Sequence, residues 1–274
     1  MPELPEVESV LRQLGPRLVG LTIAKVWVDP RMPRYLRATD ATGWTVSGLR
    51  RRGKYLIADL GDTLDLIIHL GMTGVLRWRD EDGWEPDAYV RASLFFEATS
   101  PASPVPILDF RDVRRFGTLA VTPKDMHEEF PTLAKLGPEP LSQDFTPAGF
   151  AAALKATAQE VKPFLLTQRP VAGVGNIYAD EALWQAGIHP RSRRVGRVRS
   201  DRLWQAIREV LDQAVSREGT TFRDYQMVNG ESGRNADFLV AYGQQGRPCP
   251  RCATTMRKTT VGGRGTTYCP RCQR

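Results

Sequence analysis

Residues 249–272 read CPRCATTMRKTTVGGRGTTYCPRC. Two C-x-x-C pairs, Cys249/Cys252 and Cys269/Cys272, flank sixteen residues and hold every cysteine of the chain. Each pair lets two thiolates reach one ion from a tight turn. The glycines Gly262–Gly263 between them predict a hairpin that brings the pairs together. Four thiolates around one point are the ligand set of a tetrahedral zinc ribbon, with no position left open for chemistry. Two disulfides are the alternative, and the absence of a secretory signal pattern argues against them. One structural Zn2+ is therefore expected, stabilising a segment too small to fold alone.

Charge surrounds this ribbon. Residues 244–274 contain Arg247, Arg251, Arg257, Lys258, Arg264, Arg271 and Arg274 and no acid, which matches the net charge of +7 for the whole chain. A second run, RSRRVGRVRSDR (191–202), sets six arginines against one aspartate. A single run of this kind is usually a solvated face. Two runs, one inside a metal module, favour a polyanionic partner contacted through its phosphates. No apolar run approaches the length of a membrane span, so the expected address is cytoplasmic.

Upstream of the ribbon the pattern is helical. Thr146-Pro147 opens one helix as cap and first turn, 176–187 is a second ending at Gly187, and 202–219 is the longest. The polar, glycine-containing stretch 223–237 reads as a loop. Before 124 the period is two. Runs at 21–29, 54–60, 63–70, 74–80, 89–98, 106–112 and 117–123, separated by Gly and Asp turns, predict a β-sandwich. A helix from Pro5 to Leu18 precedes it, with Val7, Val10, Leu11 and Leu14 on one face. The expected organisation is α+β and multidomain: a sandwich over 1–123, a proline-containing linker over 124–144, a helical domain over 145–243 and the ribbon over 244–274.

The chain opens MPELPEVE. Removal of Met1 before the small Pro2 would expose a secondary amine. An α-amino group titrates near 7.7–8.0, against about 10.4 for lysine, so a useful fraction is nucleophilic at neutral pH. A helix starting just beyond it lowers that value further. Such an amine can attack a carbonyl-like carbon to give an iminium, and Glu3 beside it can move protons. Taken alone, the stretch reads rather as a helix start with acidic first-turn residues favoured by the dipole.

The ordered set PELPEVE, RRGKYL (51–56), IHLGMTG (68–74), RRFG (114–117), VAGVGNIY (171–178), AGIHP (186–190) and the four-cysteine ribbon resembles the formamidopyrimidine-DNA glycosylases over the full length of the chain. The resemblance implies an N-terminal β-sandwich with its leading helix, a helix–two-turns–helix domain, the zinc ribbon and damaged double-stranded DNA as partner. It also implies a monomer working on the nucleoid. The implied activity is removal of oxidised purines (8-oxoguanine, formamidopyrimidines), followed by nicking of the strand. By the same resemblance Pro2 is the nucleophile and Glu3 the acid. Lys54 assists β-elimination, and Arg264 grips the flanking phosphates and assists δ-elimination. His69 lines the cleft, while Lys162 and Asn176 contact phosphates. Met72 and Phe116 wedge into the gap left by the extruded base, and Arg114 pairs with the orphan cytosine.

Met72 sits at a glycine-flanked turn and Phe116 follows two arginines, odd places for core residues. His127 and His189 read as structural. Four positions depart from the family pattern: Val113 for a usual proline, Tyr89 for a histidine, Thr167 for an aspartate and Gln244 for an arginine. A sister enzyme for oxidised pyrimidines shares Pro2, Glu3 and the ribbon. Leu4 and the Met72, Arg114, Phe116 trio favour the purine enzyme. A non-catalytic zinc-ribbon DNA-binding protein would explain the basic tail but not Pro2-Glu3.

Overall fold

Helix α1 (Leu4–Leu18) starts one residue earlier than the sequence predicts, because Glu3 already serves as its N-cap. The Glu3 N–H donates to Glu6 Oε2 at 2.7 Å, the return arm of a capping box, and Pro5 lies in the first turn, where a missing N–H costs nothing. Val7, Val10, Leu14 and Leu18 are buried along one face. At about 2 kcal/mol each, burial of these four side chains is what anchors the helix.

The computed structural model describes residues 2–80, 84–98, 100, 103–221, 228 and 230–274. They divide into two units. The first comprises Met1–Ala134 and Glu218–Arg234. Its strands are β1 (Ile23–Val28), β2 (Val46–Arg52), β3 (Tyr55–Leu60), β4 (Leu64–His69), β5 (Gly74–Asp80), β6 (Val90–Phe96), β7 (Pro106–Asp112) and β8 (Thr118–Pro123). They form two antiparallel four-stranded sheets, ordered β1-β6-β7-β5 and β2-β3-β4-β8. One core serves both sheets and α1: Leu56, Ala58, Leu66 and Ile68 from one sheet meet Leu94, Phe96, Leu108 and Phe110 from the other.

The reading by period missed β2, whose Gly48 and three arginines hide its alternation. Two of those arginines are paired: Arg50 with Asp59 and Asp65, Arg51 with Glu8. It also missed the 3-10 run Pro33–Ala41, which buries Tyr35. The short helix α2 (Pro131–Ala134) falls in the stretch read as linker.

The second unit comprises Lys135–Arg217 and Asn235–Arg274. It holds α3 (Pro147–Ala156), α4 (Val161–Leu166), α5 (Asn176–Ala186), α6 (Arg197–Ser216), β9 (Arg257–Val261) and β10 (Arg264–Tyr268). Thr146 caps α3 by accepting from Gly149 N at 3.1 Å, and Gly187, in the left-handed region, ends α5 as expected. Helix α6 begins five residues before the predicted start. Arginines in a first turn oppose the helix dipole and disguise it, but Arg197 pairs with Asp201 one turn on. Among the described residues no helix is long and apolar enough to cross a membrane.

One boundary differs from the sequence reading. Glu218–Arg234, counted there with the helical domain, packs with the first unit. Buried Glu6 explains this: its Oε1 accepts from Thr220 N at 2.7 Å, and Val228 joins the sandwich core. Of the predicted loop 223–237, residues 223–227 and 229 lie outside the described residues, as does Met1.

Candidate active site and nucleic-acid interface

Pro2 and Glu3 are buried at the N-terminal end of α1, with Glu3 only 1% exposed. The positive end of a 15-residue helix therefore faces the amine position and its neighbouring carboxylate. Lys54, in the tight turn between β2 and β3, is also buried. Its charge acts on His69 at the end of β4. Burial pushes the His69 imidazole down to about 4, Lys54 adds to the fall, and Asp112 opposes it. His69 is thus neutral at pH 7. Its ring lies 4.5 Å from Tyr55, and its Nδ1 accepts from Gly71 N at 3.3 Å.

That last bond begins the loop carrying Met72, and the loop is joined to the one carrying Arg114 and Phe116. Gly71 adopts φ +62°, and a Cβ there would stand 2.6 Å from the Phe116 carbonyl carbon. Only glycine permits so close a backbone approach. Asp112, fully buried, ties both sides. Its Oδ1 accepts from Thr73 Oγ1 at 2.7 Å, its Oδ2 from Gly117 N at 2.7 Å, and Tyr35 OH reaches Oδ2 at 3.4 Å. Thr73 Oγ1 in turn accepts from Arg114 N at 2.9 Å. Arg115 at the tip takes a left-handed φ of 62°, and its carbonyl accepts from Arg34.

The result is a rigid base with an exposed crown. Phe116 is 52% exposed, Arg114 stacks over its ring at 5.0 Å, and Met72 is half-buried. The pair His69 and Met72 and the pair Arg114 and Phe116, from two distant segments, are gathered here. Val113 is exposed, and the hydrogen bonds from Thr73 and Gly117 hold the loop without a proline at that position. Tyr89 lies under the Arg111 guanidinium, 5.3 Å from its centre.

In the second unit, α5 opens at Asn176 after Gly173 and Gly175. The Asn176 amide donates to Gly265 O at 3.1 Å, next to Arg264 at the hairpin tip. Arg264 is exposed.

Lys162 requires a correction. Expected as a phosphate contact, it is fully buried. Its Nζ donates to Asp180 Oδ1 at 2.6 Å, to Thr266 Oγ1 at 2.8 Å and to Gly265 O at 3.3 Å. Its three protons are used inside the protein, and it fastens α4 and α5 to the ribbon. Thr167, in place of the usual aspartate, closes α4 by donating to Phe164 O at 2.6 Å. Gln244 donates to Leu239 O at 3.0 Å.

The hairpin turns at Gly262–Gly263, both with positive φ, and pairs Val261 with Arg264 across a two-residue loop. The four cysteine sulfurs lie within 4.8 Å of one another, with Cys249–Cys272 at 4.0 Å and Cys252–Cys269 at 3.5 Å. Thiolates about 2.3 Å from one zinc in a tetrahedron stand about 3.8 Å apart, so the set fits the ion. The Trp184 indole N–H points at Cys249 Sγ from 3.5 Å, orienting the ligand. This is a structural zinc site.

Sequence reasoning overlooked the acids that brace these groups. Asp112 lies beside the more conspicuous arginines Arg111, Arg114 and Arg115. Asp180 and Glu181 stand together within a largely apolar helix, a signal that each has buried work. Asp180 holds Lys162 and Thr267 N, and Glu181 accepts from the backbone of Val240, Ala241 and Tyr242. A further group, Asp65, Asp125 and His127, has metal-ligand chemistry. The Arg50 guanidinium, 3.1 Å from Asp65 and 3.7 Å from Asp125, already supplies its positive charge.

Comparison with known proteins bears on all three parts. Residues 1–119 match the formamidopyrimidine-DNA glycosylase N-terminal domain, 136–226 that enzyme's H2TH domain, and 246–274 the zinc finger found in FPG and IleRS. The formamidopyrimidine-DNA glycosylase of Deinococcus radiodurans is 44% identical, with 100% of this chain and 97% of that protein aligned. That of Heliobacterium modesticaldum is 41% identical over the whole of both. The crystal structure of the MutM (FPG) protein of Thermus thermophilus superposes with a TM-score of 0.89 at 41% identity, covering 99% of this chain and 98% of that one. A Lactococcus lactis FPG mutant in complex with DNA containing Fapy-dG gives 0.88 at 37%, covering 100% of each chain. With its sandwich, helical unit and ribbon all accounted for in one order and at these identities, the chain belongs to the formamidopyrimidine-DNA glycosylase family.

Proposed function

We infer that this protein excises oxidised purines from duplex DNA and then nicks the strand, acting as a monomer on the chromosome in the cytoplasm. The observation that carries the chemistry is the burial of Pro2 and Glu3 together at the positive end of α1. After loss of Met1, the helix end lowers the basicity of the Pro2 amine and keeps it unprotonated. The amine attacks C1′ of the damaged nucleotide as the base departs with its bonding pair. The attached nitrogen loses its proton to water. Glu3 gives a proton to the ring oxygen, the C1′–O bond breaks with its pair going to that oxygen, and the freed nitrogen lone pair forms an iminium. The iminium draws electrons from C2′, whose proton is lost. Elimination then expels the 3′ phosphate and, after a second proton loss, the 5′ phosphate.

Lys54 holds a phosphate near this centre, and Arg264 at the exposed hairpin tip holds those flanking the lesion. Asn176 supplies an amide, and the N-terminus of α5 favours an anion beside it. The extruded base leaves a gap for Met72 and Phe116 to fill, and Arg114 satisfies the abandoned cytosine. The braced base under these three residues suits the role, since a wedge must resist the duplex it opens. Comparison of excision from 8-oxoguanine:C and thymine glycol:A duplexes tests the reading. Faster release of 8-oxoguanine supports it, and preference for thymine glycol would transfer the protein to pyrimidine lesions.

A further inference from the structure

The arginine run 191–202 is not used by the chemistry above, and part of it borders a cavity of about 880 Å3 in the second unit. One wall is α3, through Ala148, Ala151, Ala152 and Leu154, and Val195 faces in from the segment before α6. Lys155, Arg193, Arg194 and Arg197 also line it, and no acid does. Ala148 and Ala152 are exposed, as are all four cations. The volume is that of a ligand pocket rather than of a packing defect.

The charges are unequal. Arg193 is held by donation to Ala158 O at 3.1 Å and stands 3.9 Å from Glu160, and Arg197 is paired with Asp201. Lys155 and Arg194 have no ion-pair partner among the described residues. Lys155, in the last turn of α3, also offsets the negative end of that helix. Two cations with no carboxylate partner among the described residues thus border an aliphatic hollow.

We propose that this cavity docks an acidic peptide bearing aliphatic side chains. Nucleic acid fits it less well. A single strand is held by cations together with aromatic platforms for its bases, and no aromatic side chain lines this cavity. The phosphates of a duplex would meet the cations but leave the alanine, leucine and valine wall without an apolar partner. Thr157 is the one neutral polar side chain among the lining residues, too little to read base edges. An aliphatic side chain gains from the alanine wall, while flanking carboxylates meet Lys155 and Arg194.

The test uses the full zinc-loaded chain and a fluorescein-labelled peptide of alternating Asp and Leu, with an Asp–Ser peptide of equal charge as control. Fluorescence anisotropy is expected to show saturable binding of the Asp–Leu peptide, with a Kd on the order of micromolar, and at least tenfold weaker binding of the control. Ala152→Trp, which fills the hollow from an exposed helix position, and Arg194→Glu each weaken binding by about tenfold, a loss near 1.4 kcal/mol. Ala148→Phe fills the same hollow from the first turn of α3 and gives the same loss should Ala152→Trp lower the melting temperature. Excision of 8-oxoguanine by the two filled variants stays at the parent rate. Equal binding of both peptides, or unchanged binding by the filled variants, overturns the proposal. Displacement of the peptide by a single-stranded oligonucleotide that the filled variants also bind less well would assign the cavity to nucleic acid and overturn it equally.

Discussion

Replacing Asp112 by alanine removes the brace under the proposed wedge residues. The carboxylate is fully buried and makes two bonds of 2.7 Å, one from the Gly117 N–H and one from the Thr73 hydroxyl. A hydrogen bond to a charged group contributes about 1.5–3 kcal/mol, and the buried Gly117 N–H would be left without an acceptor, so the loss should be roughly 4 kcal/mol. In a unit of this size that corresponds to a fall of about 10 °C in melting temperature. Asp112→Asn is the informative partner. Its amide oxygen can still accept from Gly117 and its amide nitrogen can donate to Thr73 Oγ1, so it should cost about 1 kcal/mol. Calorimetry of both variants, with excision measured opposite cytosine and opposite adenine, separates brace from bystander. The alanine variant should lose stability and much of its opposite-base preference, because Arg114 is anchored through Thr73. A loss under about 1 kcal/mol with discrimination intact would refute the assignment.

Gly71→Ala places a methyl 2.6 Å from the Phe116 backbone at a φ of +62°, so at least 2 kcal/mol or so should be lost as the two loops part; thermal melts and single-turnover excision check it, and a variant equal to the parent in both would contradict the close approach. His69 is held at about 4, below its unfolded value of about 6.5. The unfolded chain therefore binds the extra proton between those values, and stability falls as pH drops through that window, by on the order of 2 kcal/mol for a partly exposed ring. Denaturation curves of the parent minus those of His69→Gln should show this slope, and parallel profiles would count against it. Lys162→Met removes the cation beside buried Asp180, which keeps its bond from Thr267 N, so it should cost about 3 kcal/mol and speed zinc release by chelator. Unaltered stability with weaker DNA binding would instead restore the phosphate role expected from the motif.

Much of the fold could be read from local pattern, and the failures share a physical cause. Strands with a clean period of two, such as 64–69, and helices with glycine or threonine caps stood out because one backbone geometry satisfies their residues. Strand β2 did not, because its arginines are buried in part by pairing with Asp59, Asp65 and Glu8, partners on other elements. The burial of Lys162 is hidden from the sequence for the same reason. A lysine reads as exposed until the acid that neutralises it is located, and Asp180 lies a helix away. The ribbon was legible in full, since four cysteines at that spacing leave little choice. The motif loops could be named from their residues, but not the carboxylate of Asp112 that unites them, because hydrogen bonds across 39 residues leave no periodic trace.

The most direct test of the central claim is borohydride trapping on a duplex carrying one 8-oxoguanine opposite cytosine, with the adduct mapped by mass spectrometry. The account predicts a covalent DNA adduct on the N-terminal peptide, at the nitrogen of Pro2 in chains freed of Met1. An adduct on a lysine, or none from protein that starts at Pro2 and binds the duplex, would contradict it.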